Sequence, residues 1–137
     1  MRRPLLAATL AAAIDLSAPA WAEAGHWQGQ AESINKAVST AEATYAAGDV
    51  DGGKRAVQEA YFHNFEDSKM ESAIRKHVSA KRAAEIEKHF STLRKAMAAK
   101  DSAQVAAVSQ TLREAIASEA KTLDDAKVSP QVFEVNQ

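Results

Sequence analysis

The chain of 137 residues has no cysteine. It therefore cannot carry a disulfide, a thiolate zinc site or a covalent Cys-x-x-Cys-His haem. Five glycines and three prolines are too few for a turn-rich β protein. Runs of β-branched residues are missing, while alanine recurs throughout, and that is a helical composition. Charge of one sign is missing too. Seventeen Lys and Arg face eighteen Asp and Glu, for a formal net charge of -1, which argues against nucleic acid as a partner. No apolar run is long enough to anchor the chain in a bilayer. Nor is there a nucleophile–base pair at recognisable spacing, a phosphate-cradling glycine loop or a metallohydrolase motif. The expectation is a binding protein, not an enzyme.

What is present begins with an export signal. Arg2 and Arg3 precede a short apolar run at 4–14, and Ala20-Trp21-Ala22 fits a small-x-small cleavage site. The spacing predicts a signal peptide over 1–22, a mature chain from Glu23 and a periplasmic location.

Four apolar stripes follow. Trp27, Ala31, Ile34, Val38, Ala41 and Tyr45 recur at steps of three and four, which is one face of a helix. Gly48 supplies a left-handed stop, and Asp49 or Asp51 can cap the next helix. That helix places Val57, Tyr61 and Phe65 toward a core, with Phe62 beside them. Ser79 caps a third stripe of Ala83, Ile86, Phe90, Leu93 and Met97, and Asp101 with Gln104 opens a fourth of Val105, Val108, Leu112, Ile116, Ala120 and Leu123. Short connections between long helices imply an all-α, up-and-down antiparallel four-helix bundle over 23–127. The stretch 128–137 contains Pro130 and no helical period, and reads as a tail.

Chemistry concentrates at 61–71, Y-F-H-N-F-E-D-S-K-M-E. On a wheel of about 100° per residue, Glu59, His63 and Glu66 share a face opposite the apolar stripe, and a continuous helix would add Met70 and His77. Carboxylate and imidazole one turn apart can meet one cation. Iron suits that donor set, whereas Met70 with His63 would suit copper. The plainer reading is a solvated polar face, with Glu71 as the third residue of a capping box begun by Ser68. A helix break near Asp67-Ser68 would leave Glu66 and Asp67 at a negative helix end, a placement that a bound cation would relieve.

The pattern Tyr61-Phe62-x-x-Phe65-Glu66-x-x-x-Met70-Glu71 resembles the extracytoplasmic helical domain found in bacterial members of the high-affinity iron permease family. The similarity continues through Glu85-Ile86-Glu87, Phe90, Leu93-Arg94 and Asp101. This resemblance implies iron handling at the cell envelope, with Glu66 and Glu71 as ligands and Met70 adjacent. Glu59 and His63 come from the wheel alone. Related sequences often set glycines around the serine, where this chain has Asp67 and Lys69. The membrane helices and Arg-Glu-x-x-Glu motifs of the permeases are not in this sequence, so it is not itself a channel.

The resulting expectation is an exported protein that binds iron, with copper as the alternative metal and no haem. It would hand its metal to a membrane iron permease, with self-association into a homo-oligomer as a further partner reading. The rival expectation is a metal-free structural or protein-interaction module of the cell envelope.

Overall fold

Helix ends sit where the sequence supplies caps. The computed structural model describes residues 25–133, so the expected signal peptide at 1–22 lies outside the described residues. Within them the chain is all-α: α1 His26–Ala46, α2 Val50–Glu59, a π-helical segment Ala60–Glu66, α3 Met70–His77, α4 Ala80–Ala98, α5 Ser102–Asp125 and a closing 3-10 turn Pro130–Phe133. Asp49 accepts the Gly52 N–H at 2.8 Å, Ser79 accepts that of Arg82 at 3.1 Å, and Asp101 accepts that of Gln104 at 3.1 Å. Each side chain satisfies an N–H left open by the first helical turn. Gly48 ends α1 at φ 98, as its lack of a Cβ permits.

The start of α1 is capped from far away. Gly25 precedes it with no side chain to offer, and the Asp124 carboxylate on α5 accepts the N–H groups of both Trp27 and Gln28 at 2.9 Å. The buried Trp27 indole donates to the Val128 carbonyl at 2.7 Å. Residue 128 therefore packs against the core, and the chain beyond α5 stays on the domain at least to the 3-10 turn.

Helix α1 packs along α2 and α5, and α4 packs along the same two. Trp27, Ile34 and Val38 of α1 meet Ile86, Phe90, Leu93 and Met97 of α4 and Leu112, Ile116 and Leu123 of α5 in one buried core. The third and fourth stripes read from the sequence are thus the buried faces of α4 and α5. Helix α3 lies across α4 and α5. Gly53 allows the closest approach: a Cβ there would sit 3.0 Å from Tyr45 Cβ and 3.2 Å from Met97 Sδ. The Gly52-Gly53 pair, which reads as a weak helix start, is in part a packing requirement between α1, α2 and α4.

The π segment changes the register of the second helix. Its hydrogen bonds span five residues, as when the Asp67 N–H reaches the Phe62 carbonyl at 3.0 Å. The buried positions follow: Gly53, Val57 and Ala60 step by four and three, and the next, Phe65, comes five later. A strict α-helix would set Ala60 and Phe65 about 140° apart. At about 82° per residue a π-helix brings them to within about 50°. Phe62, two residues after Ala60, lies about 160° from it in either register and so points away from the core. It is 44% exposed, the single exposed large hydrophobic among the described residues, which corrects its expected place in the core.

Candidate functional site

Of the two courses open to the second helix, a break near Ser68 or a continuous run, the break is the one present. The π segment ends at Glu66, a turn follows, and α3 begins at Met70. The capping box does not form. Ser68 Oγ donates to the Phe65 carbonyl at 3.1 Å and receives the Met70 N–H at 3.3 Å, while Lys69, not Ser68, precedes the helix. Lys69 takes φ 70, a left-handed conformation that costs a residue with a Cβ on the order of 1 kcal/mol. The backbone at Lys69 thus takes a conformation that a glycine would favour, whereas Asp67, on the other side of Ser68, sits at an ordinary φ of -65.

The five expected ligands separate into three groups. Met70 is fully buried in the core, so its thioether is not on the polar face with His63. Glu59 and His63 are exposed and flank one shallow depression, and His63 Nδ1 lies 3.3 Å from Asp67 Oδ2. Glu66 and Glu71 belong to a different cluster, built where the π segment, α3 and α4 meet.

Glu71 is the centre of that cluster. The turn at Lys69 starts α3 so that Glu71, in its first turn, faces back toward the π segment and α4. It receives the Tyr61 hydroxyl at 3.2 Å and Arg75 Nη2 at 2.9 Å. The same Nη2 reaches Glu87 Oε1 on α4, also at 2.9 Å. The carboxyls of Glu71 and Glu87 lie within proton-sharing reach of each other. Glu66 adds a third negative charge felt by both Tyr61 and Glu87. Tyr61 itself is held edge-on against Phe90, with ring centroids 5.4 Å apart, so its hydroxyl has a fixed origin in the core.

Electrostatics follow from this crowding. Burial works against the Glu71 charge, yet hydrogen bonding with Glu87, Arg75 and Tyr61 outweighs it and holds the Glu71 carboxyl below its ordinary range. The proton shared with Glu71, then burial, push Glu87 above that range. Burial first, and then the charges of Glu71 and Glu87, push the Tyr61 hydroxyl up to about 12. The two carboxyls are thus pushed apart, Glu71 toward its charged form and Glu87 toward its neutral one. One guanidinium therefore serves two carboxylates, and a third stands nearby.

Among the described residues, no group of three or more His, Asp or Glu side chains is assembled to hold a metal ion. The donor atoms at the cluster are all oxygens, a hard set of the kind that suits ferric iron better than copper. Arg75 now stands in the position that a cation bridging Glu71 and Glu87 would take.

Sequence reasoning missed Glu87 and Arg75 as members. Arg75 was legible as the residue four after Glu71 on one helix. Glu87 was not, because its place depends on how α3 lies on α4. Among the described residues, no helix is long and apolar enough to cross a membrane. Comparison of the chain with family models, with curated proteins and with solved structures gives no match, so the likeness to the iron permease domain rests on the residues quoted above.

Proposed function

We propose that this chain is an exported, periplasmic iron-binding accessory protein that acts without catalysis and passes its cargo to a membrane iron permease. The observation that carries the reading is the pairing of Glu71 with Glu87 under a single guanidinium, with Glu66 beside them. Two crowded carboxylates with one shared counter-charge favour any cation of higher charge that can displace it. Arg75 is half-exposed and can swing out toward solvent while iron takes its place. Glu66 is exposed on the last turn of the π segment and is free to turn inward as a further oxygen ligand. Protons on the Glu71–Glu87 pair compete with metal, so release is favoured by acid. On this reading the scaffold is an up-and-down four-helix bundle of α1, α2, α4 and α5, with α3 as the arm that carries Glu71 to the bundle.

The rival reading, a metal-free structural or interaction module, draws support from the same Arg75, which already clasps α3 to α4. Titration separates the two. Ferric iron supplied as a weak chelate should quench tyrosine emission and bind with a heat signal in the wild-type protein. A Glu66→Ala, Glu71→Ala double variant should lose both, and Glu87→Gln should weaken both. Equal binding of iron and copper by wild type and double variant would place the site elsewhere, and no binding by either would favour the structural module.

A further inference from the structure

A cleft of about 220 Å³ opens between the π segment and α4. Its apolar wall is Val57, Tyr61, Phe62 and Phe90. Tyr61 and Phe62 meet edge-on with centroids 4.9 Å apart, so two ring faces are fixed at a steep angle. Phe62 stays on the surface while the π register brings its neighbour Phe65 into the core. A residue exposed in this way loses burial, and π-helical insertions in α-helices are frequent at functional sites. An apolar cavity of about 150 Å³ is enough to admit benzene. This cleft therefore has room for one ring with a small substituent, but it falls below the range of drug-sized sites.

Charge around the cleft is uneven. Glu87 stands at one end, where Arg75 already neutralises it. Arg94 stands at the other end, two turns along α4, and makes no hydrogen bond or ion pair among the described residues. An adjoining depression shares Arg94 and adds Lys54 and Arg55 against a single acid, Asp51. Arg55 also has no partner among the described residues. A planar guanidinium without a counter-ion, beside an aromatic wall, suits a carboxylate approached in its own plane. The rim carries more positive than negative charge and so favours an anion in the encounter.

We infer that the cleft is a binding site for a small aromatic carboxylate, its ring against Phe62 and Phe90 and its carboxylate on Arg94. The inference is independent of the metal reading. It uses the opposite end of the cleft from the carboxylate cluster and is tested with metal removed.

The full chain, treated with chelator, is titrated with benzoate while backbone amide resonances are followed. Saturable shifts at 57–62 and 87–94 are expected, with a Kd on the order of 1 mM for so small a ligand. Benzamide has the same ring and shape without the charge, and should bind about tenfold more weakly or less. Arg94→Gln and Phe62→Ala should each weaken benzoate about fivefold or more, and both side chains are exposed, so the variants remain folded. Benzamide binding as well as benzoate would overturn the inference, as would an unaffected Arg94→Gln variant or shifts confined to other surfaces. If the same amides shift on raising the protein concentration alone, a second copy of the chain occupies the cleft and the inference fails.

Discussion

Phe62 and Phe65 lie three residues apart, and the π segment assigns them opposite fates. In an α-helix they would be about 60° apart on one face. In the π register they are about 115° apart. Phe65 is fully buried, with its ring 5.5 Å from that of Phe90 and 6.0 Å from that of Tyr61, whereas Phe62 is 44% exposed. Truncating a fully buried Phe costs about 3–5 kcal/mol, the lost transfer energy plus the cavity left behind. With two aromatic neighbours that cannot both move in to fill the space, Phe65→Ala should cost about 4 kcal/mol. Phe62→Ala leaves no closed cavity and removes a half-wet ring, so it should cost about 1 kcal/mol. Urea unfolding followed by far-UV circular dichroism reads both. The first loss is a large part of a typical stability of about 5–15 kcal/mol, and a shift of about 4–8 °C per kcal/mol in the melting temperature gives a second readout. If Phe65→Ala leaves too little folded protein, Phe65→Leu keeps the comparison with a smaller loss of about 1 kcal/mol. Equal costs for Phe62→Ala and Phe65→Ala would show both rings equally buried, and the placement of Phe62 outside the core would be wrong.

The other predictions concern the turn, the distant cap and the carboxylate pair. Lys69→Gly should raise stability by about 0.5–1 kcal/mol by relieving the left-handed backbone, seen as a higher melting temperature. A lower one would mean that the lysine side chain contributes more than its backbone costs. Asp124→Ala removes the acceptor for two N–H groups of α1 and should cost about 1–2 kcal/mol in chemical denaturation, with Asp124→Asn recovering part of it. Glu71 and Glu87 should respond to pH with opposite signs. The lowered Glu71 carboxyl contributes stability above the ordinary carboxylate range and loses it as pH falls through its own depressed value. Glu71→Gln should therefore cost about 1–2 kcal/mol at neutral pH and little in acid. The raised Glu87 carboxyl contributes stability only below the ordinary range and loses it as pH rises through its elevated value, so Glu87→Gln should be stabilising at neutral pH, by about 0.5 kcal/mol after screening at a partly exposed site. Denaturation curves at neutral and acidic pH decide, and matching signs for the two variants would refute the pairing.

The caps at Asp49, Ser79 and Asp101, the stop at Gly48 and the core stripes of α1, α4 and α5 were legible because each depends on residues within one or two turns of one another. The π segment was not. Tyr61 and Phe65, four apart, look alike in α and π register, and only the five-residue step from Ala60 to Phe65 separates the two. An alanine gives too weak a hydrophobic signal to set that phase. The candidate site was half legible for the same kind of reason. Glu66 and Glu71 stand in a recognisable local pattern. Glu87 is sixteen residues from Glu71, and its place depends on the crossing of α3 over α4, which no periodicity encodes. Met70 shows the converse. Its spacing from Glu66 suggested a shared polar face, but the left-handed turn at Lys69 restarts the helix and swings Met70 inward.

The cap that Asp124 places on α1 joins residues 97 apart in the chain. A growing or translocating polypeptide that has delivered only its first helices lacks this carboxylate, and it lacks the Val128 carbonyl that the Trp27 indole requires. The first of the described helices is thus among the last to be completed, and contacts of such long sequence separation slow folding. On that order α1 stays uncapped at its start, and its tryptophan stays unpaired, until α5 and the residues after it arrive.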